Sequence, residues 1–327
     1  MHSATLDKSF RSRRDLGIAV VVLVILVAAL LRPLLQDLLD RPAVAHWATI
    51  FVAIAIQAVP FLVLGVTISA AIAAFVPAGA LPRLLPKQPA LAVPVAAVAG
   101  AALPGCECGS VPIAGRLVSR GAPPAAALTF LLAAPAINPV VLVATAVAFP
   151  NDPRMWVARL IASLIAAIAV GLVWVRLGRD ELLGRARRAH THEGSRGAVF
   201  VGTAQHDLLH AGGFLIVGAS TAATLQTVVP RSVLDAVGGS GVFALLALGG
   251  LAVVMAICSE ADAFVAASLT QFSLSARLAF MVVGPMVDVK LIALQAGTFS
   301  GRFAARFAPL TFVAAIGAAL LVGWWLL

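Results

Sequence analysis

Apolar runs of about 20 residues, long enough to cross a bilayer as a helix, recur along the whole of this 327-residue chain. They fall at roughly 16–35, 48–76, 122–149, 154–177, 206–229, 275–300 and 306–327. Two further apolar stretches, 89–120 and 240–271, are too long for one crossing: about 32 helical residues would cover about 48 Å against a hydrocarbon core of about 30 Å. Each contains cysteine, Cys106 and Cys108 within Leu103-Pro-Gly-Cys-Glu-Cys-Gly-Ser-Val-Pro112 and Cys258 at the head of Cys258-Ser-Glu-Ala-Asp262. Split at Cys106–Cys108, the first stretch leaves arms of about 15 and 11 residues that each reach only partway across. That predicts a re-entrant helical hairpin with the cysteines near its tip, and a second hairpin around Cys258. Charged residues make up 11% of the chain, where soluble domains carry about a quarter. The fold class expected is an all-α polytopic membrane protein.

The second half of the sequence echoes the first. Cys108 and Cys258, Gly100 and Gly250, Phe130 and Phe280, Pro135 and Pro285, and Asn138 and Asp288 all lie 150 positions apart. Upstream, the offset is 153 for Phe61 with Phe214, Gly65 with Gly218, and Pro77 with Pro230. Apolar residues coincide easily in such a chain. Cys, Pro, Gly and Asn/Asp in one register point to a duplication.

Charge sets the orientation. With the N-terminus inside and both hairpins returning to their own side, sixteen of the 23 Lys and Arg residues lie inside. Six lie outside, Arg159 among them, and Lys290 falls within a span. A single crossing at each cysteine stretch would put one strongly basic segment outside, against the rule. Span 48–76 then runs inward and its partner 206–229 outward, which makes the halves an inverted-topology repeat, a common transporter plan. The expected division is a tail and first transmembrane helix at 1–47, a first repeat at 48–177, a basic cytoplasmic linker at 178–205 and a second, inverted repeat at 206–327. Trp47, Trp156, Trp174, Trp324 and Trp325 fall near span ends, as interfacial anchors do. The run 16–35 is too long for a signal-peptide core and reads as an uncleaved span.

The net charge of +9 reflects this orientation and not a nucleic-acid partner; no basic stripe is interleaved with aromatics. There is no P-loop, no Gly-x-Ser-x-Gly and no His-Glu-x-x-His. No nucleotide, cofactor or resident metal is expected, and the protein does not read as an enzyme. The partners expected are the lipid bilayer and a small solute. The oligomeric state is not legible.

Thiols and carboxylates at membrane depth mark a substrate or proton pathway. Cysteine sulfur is a soft ligand. Cys106, Cys108 and Cys258 converging would suit a trivalent arsenic centre or a soft metal ion, although three sulfurs leave zinc one ligand short. The plain alternative is that cysteine is a small buried apolar residue. Asn138, in Pro135-Ala-Ile-Asn-Pro139, lines a pathway or satisfies carbonyls freed by the prolines. Glu107, Glu260, Asp262, Asp288 and Lys290 are candidates for proton coupling. Glu260 and Asp262 have capping as their alternative role, and the i,i+2 spacing of Asp288 and Lys290 does not pair them on a regular helix. Gln57 and Gln226 read as polar glue between helices, and His206 and His210 as interfacial histidines.

The segments Gly105-Cys-Glu-Cys-Gly-Ser-Val-Pro112, Phe130-Leu-Leu-Ala-Ala-Pro-Ala-Ile-Asn-Pro139 and Cys258-Ser-Glu-Ala-Asp-Ala-Phe264 together resemble the predicted permease family that includes the arsenical permease ArsP and YraQ-like proteins. The resemblance covers about 50–300. It implies a multi-pass permease of the bacterial cytoplasmic (inner) membrane, its N-terminus cytoplasmic by the charge rule. It also implies export of trivalent organoarsenicals, with the paired cysteines, here Cys106 and Cys108, binding substrate. One residue departs from the family pattern: Glu107 stands where a small polar residue is common. The function expected is secondary-active, proton-coupled export of a thiophilic solute, a trivalent (organo)arsenical first. A permease for a soft metal ion or sulfur compound, or a membrane thiol oxidoreductase using Cys106 and Cys108, is the alternative.

Overall fold

The computed structural model describes residues 41–77, 86, 88–103, 106–178, 180–187, 195–228 and 241–327. The expected span at 16–35 and the hairpin residues Pro104 and Gly105 lie outside them. By contacts the chain divides into residues 1–49 and 50–327. The helices of the second unit are α1 (Pro42–Phe75, entering the unit at Ile50), α2 (Pro89–Gly100), α3 (Glu107–Ser119), α4 (Pro124–Ile137), α5 (Pro139–Ala148) and α6 (Arg154–Leu177). After short turns at Asp180–Leu183 and Gly184–Arg187 come α7 (Arg196–Val228), α8 (Val242–Met255), α9 (Asp262–Ser268), α10 (Leu274–Val283), α11 (Val289–Thr298) and α12 (Gly301–Leu326). No strand occurs among the described residues. Among the described residues, five segments are long and apolar enough to cross a membrane: α1, α4–α5 taken together, α6, α7 and α12. The chain is an all-α polytopic membrane protein.

The element order repeats. In each half a long helix precedes two interrupted helices, and another long helix follows. The interruptions have local causes. Asn138 precedes Pro139 and is held extended (φ −66°, ψ 155°), because the proline ring disfavours the helical conformation of the residue before it. Its Oδ1 accepts a hydrogen bond from Val141 N at 3.0 Å and caps α5. Asp288 does the same for α11, accepting from Leu291 N at 2.6 Å. Val141 and Leu291 are themselves 150 positions apart, so the register read from sequence holds to the residue. The runs 122–149 and 275–300, read as continuous spans, are each two helices for this reason.

Packing reverses the chain at the cysteine break. A Cβ on Gly171 would meet both Val93 and Thr129, and one on Gly100 would meet Ala133 and Ala134. α2 and α4 therefore lie side by side and run in the same direction. α3 leads into α4 through a tight turn at Gly121 (φ +90°), and Ile113 packs back onto Ala126, Phe130 and Ala134. Between the halves, α3 packs on α11 and α5 on α9, which are equivalent contacts with the halves exchanged. α6 packs along α12.

Three expectations change. α7 begins at Arg196, ten residues before the run 206–229, because Ser195 caps it: its Oγ accepts from Ala198 N at 3.4 Å. The helix thus takes in part of the expected linker. Trp174 is buried, edge-on to Phe303 and Phe307 with ring centroids 5.4 and 5.7 Å away; it serves the α6–α12 core and is no interfacial anchor. Arg159 is fully buried and does not belong among outer-loop charges.

Candidate functional site

Cys106, Glu107 and Cys108 occupy the N-cap and first two positions of α3. The positive end of the α3 dipole favours the Glu107 carboxylate. All three side chains are buried, at 1%, 0% and 0% exposure. The two sulfurs and a Glu107 oxygen lie within 4.8 Å of one another. The Cys106 thiol lies within interaction range of those of both Cys108 and Cys258. Cys258 lies in the break between α8 and α9, so the structure brings the three cysteines of the two halves together.

Lys290 joins them. Its Nζ stands 2.6 Å from Glu107 Oε1 and 3.4 Å from Asp288 Oδ2, and donates to Ala256 O at 2.7 Å. Asp288 sits outside the helix as its cap, so the i,i+2 spacing does pair it with Lys290. The expectation from regular helix geometry fails at this break. Ala256, just before Cys258, is left-handed (φ 46°), a conformation that costs a residue with a Cβ about 1 kcal/mol or more. That turn aims its carbonyl at the ammonium. Glu107 Oε2 and Asp288 Oδ2 have no hydrogen-bond partner among the described residues.

Two repeat-equivalent glycines hold this cluster closed. A Cβ on Gly65 of α1 would stand 2.3 Å from Gly109 Cα. A Cβ on Gly218 of α7 would stand 2.6 Å from Lys290 Cα. Each long helix thus touches the backbone beside one end of the Glu107–Lys290 pair. A narrow crevice lined by Phe61, Gly65, Ile68 and Gly109 reaches Cys106.

The remaining candidates have other partners. Asp262 is gripped by Arg159 through bonds of 2.8 and 2.7 Å. Arg159 also bonds Thr145 Oγ1 at 2.9 Å and Ser259 O at 3.2 Å, so one guanidinium ties α5, α6, α9 and the break before α9. The Asp262 side chain does not cap its helix. Glu260 Oε2 is buried without a hydrogen-bond partner among the described residues. Asn138 spans its own break, donating to Ala134 O at 3.1 Å as well as capping α5. Gln226 donates to Met255 O at 2.8 Å, between helices as expected, whereas Gln57 is exposed on α1. His206 and His210 are exposed and stack at 5.8 Å.

Sequence reasoning missed Arg159 and the pair Arg116–Asp207. Arg116 Nη2 lies 3.0 Å from Asp207 Oδ2, and Ser69 Oγ donates to the same oxygen at 2.8 Å. α3 and α9, the helices that follow the two cysteine breaks, are thus each pinned to the opposite half by an Arg–Asp pair. An arginine inside an apolar run was the available signal.

Residues 43–324 match the model of a family described as a predicted permease, ArsP_1. YcgR, a UPF0718 protein of Bacillus subtilis, is 37% identical over 82% of this chain and 93% of its own length. A Streptococcus mutans protein, provisionally named as a subunit of a two-component membrane permease complex, is 32% identical over 86% of this chain and 96% of its own length. No solved structure matches at a significant level.

Proposed function

The chain belongs to the predicted permease family matched over residues 43–324, and from that premise we propose that it is a secondary-active permease exporting a thiophilic solute, first a trivalent (organo)arsenical, in exchange for protons. The observation that carries this reading is the meeting of Cys106 and Cys108 from one half with Cys258 from the other. Soft sulfur suits a thiophilic centre. Methylated trivalent arsenic exchanges its hydroxyls for two thiol sulfurs, two waters leave, and no charge changes.

In this reading the halves are inverted repeats at 48–177 and 206–327, and the two cysteine breaks are tips of re-entrant hairpins in the bacterial cytoplasmic membrane, with the N-terminus inside. The exchange of contacts between halves supports it. The thiols are buried, so the tips must part for a solute to enter, as alternating access requires. Glu107, Glu260, Asp288 and Lys290 carry proton coupling, Asp262 acts through Arg159, and Asn138 shapes the path at its break. Burial of all three thiols weighs against an oxidoreductase that must meet a soluble partner. One relative is named as a subunit of a two-component complex, and we extend a second subunit to this chain, testable by co-purification.

The test is uptake of methylated trivalent arsenic into everted vesicles. Wild-type protein accumulates it, and Cys106→Ser does not. Equal uptake by the two removes the thiol site.

A further inference from the structure

We propose that Cys106, Glu107 and Cys108 also form a site for a soft divalent cation of the zinc and cadmium class, and that Lys290 competes with that cation for Glu107. The inference rests on the reading that the three thiols face solute, and adds a second class of cargo at the same place.

The carboxylate is the reason. A trivalent arsenical is satisfied by sulfur and gains nothing from a carboxylate between the thiols. Burying Glu107 at 0% exposure is costly without compensation. Yet Glu107 has Lys290 as its counter-charge and leaves Oε2 without a hydrogen bond among the described residues. A Glu107 carboxylate oxygen and the sulfurs of Cys106 and Cys108 lie within 4.8 Å of one another. Zinc bound to sulfur at about 2.3 Å in a tetrahedron needs ligands about 3.8 Å apart, a contraction within reach of side-chain torsions. Cys106 and Cys108 supply two ligands to such an ion and Glu107 a third, with the fourth position left to water, as in zinc sites that keep one place open. Among soft ions, a carboxylate in the set favours a divalent cation over a monovalent one.

The charges balance. A divalent cation binding two thiols forms two metal–sulfur bonds and breaks two S–H bonds. The two protons pass to nearby carboxylates, Asp288 and Glu260, and on to water. Metal binding to thiols releases protons in this way generally. Lys290 leaves Glu107 for Asp288, whose Oδ2 is already 3.4 Å from its ammonium. Both of those residues lie in the second half, so occupancy cuts a tie between the halves. A cation thus opens the contact that an ammonium closes.

The experiment uses the purified full-length protein in detergent, with Cd²⁺ as probe and trivalent methylarsenite in parallel. Thiolate-to-cadmium absorption reports sulfur ligation, and a pH indicator in weak buffer counts protons. The expected result is one Cd²⁺ per chain with about two protons released, abolished in Cys106→Ser. Glu107→Gln weakens Cd²⁺ at least about tenfold. Lys290→Gln tightens it about tenfold by removing a competing positive charge; a structural lysine would only weaken binding. If Lys290→Gln does not fold, X-ray absorption on the wild type decides by finding two sulfurs together with oxygen neighbours around cadmium. Methylarsenite binding without cadmium–thiolate absorption overturns this inference and leaves the permease reading standing. Cadmium absorption that persists in Cys106→Ser places the metal elsewhere and also overturns it. If neither ligand engages the thiols, both readings fall.

Discussion

Lys290 Nζ lies 2.6 Å from Glu107 Oε1, and the two residues come from opposite halves of a chain whose order of helices recurs. Their repeat partners, Val140 and Ile257, are apolar. The two breaks stand at corresponding places in the helix order, and one ion pair makes them unlike. Removing one member of a buried pair strands charge and costs about 3–5 kcal/mol, whereas removing both is often close to neutral. Lys290→Met strands two carboxylates and Glu107→Gln leaves Lys290 with Asp288. Lys290→Met is therefore the more damaging single change, by at least about 1 kcal/mol, and the double variant recovers most of the loss. Unfolding in detergent measures all three; additive losses would show that the pair does not act as one.

Arg159 offers a second test. Its two bonds to Asp262 are a planar fork that lysine cannot reproduce. Arg159→Lys is expected to lose about 2–3 kcal/mol despite keeping its charge, and transport is expected to fall with it. A melting temperature within a degree of wild type would show that the fork is not needed.

Gly65 has no room for a methyl group against Gly109. Gly65→Ala is expected to lose about 1–3 kcal/mol through overpacking. Gly213→Ala on α7, where a Cβ meets nothing within 4 Å, serves as the control and gains up to about 1 kcal/mol from helix propensity.

Asp288 caps α11 and faces Lys290, and two substitutions separate the roles. Asp288→Asn keeps the acceptor for Leu291 N and is expected to retain the helix while changing proton dependence of transport. Asp288→Ala also loses the cap, about 1 kcal/mol more. Identical proton dependence of uptake in Asp288→Asn and wild type would remove Asp288 from coupling.

The contact between Cys106 and Cys258 joins the halves through sulfur. With a protease site inserted at 188–194, a dithiol-bridging arsenical is expected to hold the two cleaved fragments together in a denaturing gel. Cys258→Ser is expected to let them separate, leaving the arsenical on Cys106 and Cys108. Separation in the wild type would show that the thiols do not share a ligand.

Much of the fold was legible because lipid imposes a simple rule. Backbone groups at membrane depth must bond within helices, so apolar length and Gly/Pro interruptions mark elements directly. The repeat register, the break at Cys106–Cys108 and the polar role of Gln226 were all readable on that basis. Helix starts set by a single serine, as at Ser195, were not, because hydropathy does not record a cap. Arg159 was misplaced for a related reason. One arginine near a span end counts the same in a charge tally whether it faces water or a buried aspartate.

By itself the sequence determined the class, an all-α polytopic membrane protein, the duplicated order of its helices, and the family, because these follow from composition, spacing and motif. Only the tertiary structure decided which charges meet. Glu107 and Lys290 are 183 positions apart, with nothing local to link them. Pairing across that distance depends on how α3 packs against α11 and on Gly65 and Gly218 pressing the two breaks together. Side-chain electrostatics at membrane depth are set by neighbours in space, and a linear pattern holds no record of those.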